Sequence, residues 1–226
     1  MEGAQDRTKW IALGVFALVA VAIVAAILIS RGGDGEESGA TASAPGCEQV
    51  EAAKPKQVSF GKPMQTVSKG EKLTAAVKTS CGDFSIALDA QRAPKTVNSF
   101  VFLAEEGFYD RLGFHRVVPG FVIQGGDPLG SGTGGPGYSV DEKPPANLAY
   151  TKGVVAMAKS PAEPPGRSGS QFFVVLNADA GLPPEYALVG RVDEGFDVVE
   201  RIGDLGTAQQ KPKQPVLIEK ISVERG

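Results

Sequence analysis

The stretch Phe114-His115-Arg116-Val117-Val118-Pro119-Gly120-Phe121-Val122-Ile123-Gln124-Gly125-Gly126-Asp127 constrains the fold of this chain more than any other. Two short apolar runs, Phe114 to Val118 and Phe121 to Gln124, meet at Pro119-Gly120. Proline pre-sets φ and glycine accepts φ > 0, so the pair predicts a tight corner between two strands. One Arg and one Gln interrupt the apolar pattern. A guanidinium among aromatic and aliphatic neighbours is costly unless it has a partner or a task. The stretch alone leaves two readings: an Arg tip that snorkels to solvent from a strand edge, or a cation placed there to act.

The rest of the chain is punctuated in the same way. Leu73 to Thr79 and Phe84 to Asp89 alternate on either side of Cys81-Gly82-Asp83, which predicts a β-hairpin. Ala93-Pro94-Lys95-Thr96 opens a helix, with proline in the first turn where its missing N–H does no harm. Val97, Phe100, Val101 and Ala104 form that helix's inner face, and Gly107 ends it. Gly153 to Ala158 and Ser170 to Leu176 are short apolar strands, joined by the Pro/Gly-rich segment Lys159 to Gly169. Ala187 to Val192 is another strand. Phe196, Val199 and Ile202 recur at helical spacing, and Val216 to Val223 alternates as a closing strand. Many short strands with two helices fit a mainly β fold, a β-rich closed barrel.

The N-terminal quarter differs in kind. Residues 1–9 are polar and carry Arg7 and Lys9. Residues 10–29 are an unbroken apolar run about 20 long, which as a helix at ~1.5 Å per residue spans the ~30 Å hydrocarbon core. Trp10 sits at one interface and Arg31 closes the other end. The run exceeds a usual signal-peptide core, and the small-x-small site Ala42-Ser43-Ala44 lies too far beyond it. An uncleaved anchor is therefore expected. Arg7, Lys9 and the amino terminus outweigh Arg31, which places the N-terminus in the cytoplasm and the rest outside. Residues 30–56 are rich in Gly, Ser, Ala and Glu and predict a flexible tether. The folded domain is expected at 57–226. If that domain lies in an oxidising compartment, Cys47 in the tether and Cys81 in the hairpin could form a disulfide; the alternative is two free thiols.

Composition narrows the chemistry. Net charge is −3 with the signs interspersed, so no nucleic-acid footprint is present. With one His and two Cys, a Cys/His zinc site is excluded. Ser170, His115 and several Asp exist, but no nucleophile-elbow pattern surrounds Ser170, which disfavours a hydrolase. Gly125 to Gly137 holds seven glycines. Within it Gly130-Ser131-Gly132-Thr133-Gly134-Gly135 matches G-x-G-x-x-G. Pro136-Gly137 follows, though, where a dinucleotide fold needs a helix N-terminus. A long ordered loop is the reading that remains.

Three blocks in order carry a resemblance to a known family. Phe114-His115-Arg116 with Pro119-Gly120-Phe121 and Gln124-Gly125-Gly126-Asp127 is the first. Gly153-Val154-Val155-Ala156-Met157-Ala158 with Gly169-Ser170-Gln171-Phe172-Phe173 is the second, and Tyr186-Ala187-Leu188-Val189-Gly190-Arg191-Val192 the third. From about Leu73 to the C-terminus the chain resembles the cyclophilins, the peptidyl-prolyl cis-trans isomerases. The resemblance implies a closed antiparallel barrel of eight strands capped by two helices. It implies an enzyme that rotates Xaa-Pro peptide bonds in other polypeptides, monomeric and without metal or cofactor. Arg116 matches the catalytic donor. Gln124 matches the residue that steadies it and bonds the substrate backbone. Phe121, Met157, Phe173, Leu182 and Tyr186 match the proline pocket, and Ala158 and Gln171 match groove positions. The Gly-rich loop matches one that borders the groove. His115 is expected to be structural.

The chain departs from the family pattern at three places. Lys159 replaces an Asn whose contact is mainly through the backbone. Gly181 precedes Leu182 where a Trp often stands, which bears on binding of the inhibitor cyclosporin more than on catalysis. Tyr186 stands where a His often lines the pocket. The competing reading is a proline-peptide-binding chaperone module with little turnover, and retention of Arg116, Phe121 and Gln124 favours the isomerase. A single-span anchor on a short tether fits a bacterial cell-membrane protein.

Overall fold

The computed structural model describes residues 43–226. The expected cytoplasmic segment 1–9, the span 10–29 and the tether up to residue 42 lie outside the described residues. Among the described residues, no helix is long and apolar enough to cross a membrane.

The hairpin forms as its alternation requires, with β1 (Lys72–Thr79) paired to β2 (Gly82–Asp89) over its full length. Helix α1 (Pro94–Glu105) follows. Next come β3 (Leu112–Gly113), β4 (Arg116–Val118) and β5 (Val122–Gly125). The Gly-rich loop leads to β6 (Val140–Asp141), then β7 (Val154–Met157), β8 (Arg167–Ser168) and β9 (Phe172–Val175). The chain closes with β10 (Leu188–Glu194), α2 (Phe196–Asp204) and β11 (Leu217–Arg225). Nine strands make one antiparallel sheet in the order β3-β11-β1-β2-β10-β7-β9-β5-β4, and β6 and β8 form a small separate pair.

This corrects the expected closed barrel of eight strands. All eight predicted strands are in the sheet, but β3 joins as a ninth at one edge, and the ladder is open between the edge strands β3 and β4. Those two strands are separated only by Phe114-His115. The chain crosses from one edge of the curled sheet to the other in two residues. Gly113 pairs with Leu217 of β11 and Phe114 N–H bonds Val216 C=O just before that strand; from Arg116 onward the pairing is with β5. No length of β3 runs beside β4 to pair with it.

The sheet's interior holds the main core. Phe172 lies at its centre, fully buried, with Phe100 at 5.6 Å, Tyr109 at 5.7 Å and Phe114 at 6.3 Å, all near edge-to-face. Truncating such a residue to Ala costs about 3–5 kcal/mol. Helix α2 buries Val198, Val199, Ile202 and Gly203, one face only. Helix α1 is buried from Thr96 to Ala104, on more than the single face its apolar spacing predicts. Asn98 explains the difference. Its Oδ1 accepts from the N–H groups of Thr66 and Val67, and its Nδ2 donates to Met64 C=O. A strap of irregular chain is thereby laid over the helix.

The strap is residues 43–69. Its first part, 43–56, is packed along the domain, where the sequence predicts a flexible tether. Cys47 and Cys81 are joined in a disulfide, and Glu48 N–H bonds Ser80 C=O at the same place. Few apolar side chains are needed, because backbone hydrogen bonds and a covalent link do the holding. Gly126, with φ of +80°, lets the end of β5 approach the strand opposite: a Cβ there would lie 2.6 Å from Ser170 C=O. Ser170 Oγ in turn donates to Gly126 C=O.

Candidate active site

Strand register decides which side chains meet. Arg116 pairs with Gln124 between β4 and β5, Gln124 with Phe173 between β5 and β9, and Phe173 with Ala156 between β9 and β7. Directly paired residues share a face, and the next along each strand take the other. One face of the sheet therefore carries Arg116, Gln124, Phe173 and Ala156, together with the pair Val122 and Val175. The intervening pairs, Ile123 with Val174 and Met157 with Phe172, belong to the interior core.

On the outer face Val122, Ala156, Phe173 and Val175 form a second apolar cluster with Tyr150 and Leu188. Phe121, Ala158, Leu182 and Tyr186 pack against it, partly exposed. Five of the expected contact residues are thus brought together: Phe121, Ala158, Phe173, Leu182 and Tyr186. Met157 is not among them. It is 1 % exposed, opposite Phe172 in the main core. Val122 occupies the outer face instead, and sequence reasoning missed it. Tyr150 was also missed. Its ring lies 5.8 Å from that of Tyr186 and 6.2 Å from Phe173. Its hydroxyl donates to Tyr186 C=O at 2.6 Å and accepts from Tyr186 N–H at 2.9 Å, so it fixes the backbone there. Burial pushes the Tyr150 hydroxyl pKa up to about 12, so it stays a donor.

Beside the apolar cluster runs a chain of hydrogen bonds. Arg116 Nη1 donates to Gln124 Oε1 at 3.3 Å, Gln124 Nε2 to Gln171 Oε1 at 3.0 Å, and Gln171 Nε2 to Gly134 C=O at 2.9 Å. The Arg116 guanidinium lies 6.0 Å from the centre of the Phe121 ring. Its Nε donates to Gln210 Oε1 at 2.8 Å, and Gln210 C=O accepts from Val117 N–H. Gln210 comes from the loop after α2 and was not foreseen; no sequence pattern marks it. The guanidinium is held from two sides with donors to spare, because it has five N–H groups. Arg116 thus has both partners and an apolar neighbour, which the reading of a side chain merely snorkelling to solvent does not require.

A groove of about 920 Å³ adjoins this network on the side of Gln124 and Gln171. Gly132–Gly137 form one wall and Ala158, Lys159 and Ser160 the other. Lys159 is largely covered, with 5 % of its side chain exposed. Its Nζ meets Glu185 at 3.1 Å and Glu163 C=O at 3.2 Å, and lies 5.6 Å from the centre of the Tyr186 ring. It ties the groove wall to the edge of the apolar cluster. His115 stands apart: both ring nitrogens are buried without a hydrogen-bond partner. Burial lowers its pKa, the Asp127 carboxylate opposes that, and Arg116 reinforces it. Among the described residues, no group of three His, Cys, Asp or Glu side chains is placed to hold a metal ion.

The chain and its fold have counterparts among known proteins. The family model for cyclophilin type peptidyl-prolyl cis-trans isomerase/CLD matches residues 74–223. Peptidyl-prolyl cis-trans isomerase B of Streptomyces anulatus is 40% identical over 174 residues, covering 68% of this chain and 98% of that protein. Peptidyl-prolyl cis-trans isomerase A of Mycobacterium tuberculosis is 39% identical over 169 residues, covering 66% and 91%. A Cryptosporidium parvum cyclophilin type isomerase, crystallised in the presence of the dipeptide Ala-Pro, superposes with a TM-score of 0.63 at 30% identity. That superposition covers 68% of this chain and 99% of the other. The chain belongs to the cyclophilin-type peptidyl-prolyl cis-trans isomerases.

Proposed function

We propose that this isomerase turns Xaa-Pro bonds of partly folded or extended polypeptides outside the cytoplasm, with residues 10–29 anchoring it to the cell membrane. The observation that carries the catalytic part is the alignment of Arg116, Gln124 and Gln171 beside the apolar cluster of Phe121, Phe173, Leu182 and Tyr186. The barrier is ~18–20 kcal/mol because resonance gives the C–N bond double-bond character. The ring of a proline is apolar and fits the cluster. As the peptide twists, the prolyl nitrogen's lone pair localises, and a fixed guanidinium can donate to it. Such a prearranged donor is worth about 3–4 kcal/mol. Gln124, already directed by Gln171, holds Arg116 and is placed to meet the substrate backbone. Ala158 and the Gly-rich loop supply the extended strand's other neighbours. No bond breaks, and no covalent intermediate is required.

The Ala-Pro present with the Cryptosporidium relative supports a proline-containing ligand here. The Cys47–Cys81 disulfide supports the extracytoplasmic location, since such bonds persist in oxidising compartments. Two experiments test the proposal. Exchange NMR of an Ala-Pro peptide with catalytic amounts of the full chain should show cis and trans signals in rapid exchange. Binding without acceleration would instead make it a proline-peptide-binding module. Protease added outside intact cells should digest residues 43–226; full protection would overturn the location.

A further inference from the structure

The family match begins at residue 74, yet residues 56–60 of the strap touch the site's own loop. Lys56 N–H donates to Pro128 C=O and Phe60 N–H to Pro136 C=O, both at 2.8 Å. These carbonyls are the two shoulders of the Gly-rich loop, and both prolines are buried. The Phe60 ring is wedged edge-on against Phe102 of α1 at 5.4 Å and lies 6.2 Å from Phe108. The fit is close: a Cβ on Gly137 would lie 2.1 Å from Ser59 Oγ and 3.1 Å from Phe60 C=O. The strap is fastened on both sides of this contact, by the disulfide at Cys47 and by Asn98 at Thr66 and Val67.

The loop needs such support. Its glycines give it little stiffness of its own, and its internal bonds are confined to residues 127–133: Asp127 accepts from the N–H groups of Leu129, Gly130 and Gly132, and Ser131 bonds Thr133. The loop also anchors one end of the active-site network, whose other end is the donor-only guanidinium of Arg116. Gly134 C=O accepts from Gln171 Nε2, which leaves Gln171 Oε1 to accept from Gln124 Nε2 and Gln124 Oε1 to accept from Arg116. An amide has one donating and one accepting end. If Gly134 C=O moved away, the Gln171 NH2 would lose its acceptor and Gln171 would be free to turn, so Gln124 Nε2 would lose the fixed acceptor that holds its amide in place beside Arg116.

We propose that residues 56–60 are a positioning brace for the isomerase site: by fixing the Gly-rich loop they set the orientation of Gln171 and Gln124, and through them Arg116. The proposal deepens the isomerase reading above and rests on it. The test compares the full chain with its Phe60→Ala variant. The expected result is a kcat/KM on an Ala-Pro peptide lowered about three- to tenfold, in a variant still folded at the assay temperature by circular dichroism. The side-chain amide resonances of Gln171 and Gln124 should shift or broaden in 15N spectra. Phe60→Leu, which refills the apolar site, should restore both. Lys56→Pro deletes the other strap N–H together with the Lys56 Nζ bond to Asp110 C=O; it should behave like Phe60→Ala, whereas Lys56→Met, which loses the side-chain bond but keeps the N–H, should not, and this pair decides the matter if Phe60→Ala does not fold. A folded variant with a lowered melting temperature but the parent's kcat/KM and unmoved glutamine resonances would overturn the proposal. Absence of isomerisation in the parent would count against the proposed function, while the glutamine resonances would still decide the brace.

Discussion

Arg116 Nε donates to Gln210 Oε1 at 2.8 Å although 94 residues separate the two in sequence. The bond holds the side of the guanidinium that faces away from Gln124. Gln210 has φ of +60°, a conformation glycine adopts freely. Gln210→Gly therefore removes the acceptor without backbone strain. Loss of one partner from an exposed, charged donor should lower kcat about fivefold, with KM near the parent's value. Gln210→Glu keeps an acceptor and should recover most of the rate. The check is steady-state kinetics on one Ala-Pro peptide; a change confined to KM would speak against a positioning role.

Phe173 and Tyr186 meet edge-to-face at 5.4 Å, with Tyr150 behind them. Phe173→Leu keeps an apolar side chain but loses the aromatic pairing. KM for a proline peptide should rise about two- to tenfold, with kcat little changed. Titration of the peptide followed by NMR measures the same loss as weaker binding.

His115 makes the fold sensitive to acid. Burial holds its pKa below the ordinary value, so the unfolded chain takes up this proton first as pH falls. Its contribution to stability is complete above about pH 6.5. It is lost progressively as pH falls from there through the lowered folded value. Denaturant unfolding at a series of pH values should show His115→Asn with a flatter dependence across that window than the parent.

Cys47 and Cys81 are 34 residues apart, and their disulfide closes the loop that contains the strap from residue 47 onward and β1. On chain-entropy grounds such a link contributes about 3–4 kcal/mol. Reduction should lower the chemical-denaturation midpoint accordingly. A midpoint that does not move on reduction would mean the strap is held by its hydrogen bonds alone.

Much of this architecture was legible because its signals are local. Pro119-Gly120 between two apolar runs marked the β4–β5 corner, and Pro94 and Gly107 bracketed α1. The faces of β7 were not legible. Val154–Met157 is apolar throughout, so the run has no alternation, and only its register with β9 shows that Met157 points inward while Val122 lies on the site's face. The strap escaped reading for a different reason. Residues 43–56 are poor in apolar side chains; the two cysteines offered the disulfide that holds them at Cys47, but the backbone N–H groups that hold the strap elsewhere leave no compositional trace. Gln210 belongs to the same class, an exposed loop residue whose partner is fixed only by the fold. The open edge between β3 and β4 depends on how the chain crosses Phe114-His115, which periodicity does not report.

The proposed catalysis turns on Arg116 as the donor to the prolyl nitrogen. The direct measurement is the cis-trans exchange rate of an Ala-Pro peptide with the parent, Arg116→Ala and Arg116→Lys. Removal of the guanidinium should lower kcat/KM about a hundredfold or more. Lysine keeps the charge but not the planar fork that Gln124 and Gln210 hold, and should recover only a small part of the loss. A folded Arg116→Ala variant that exchanges the peptide at the parent's rate would contradict the account.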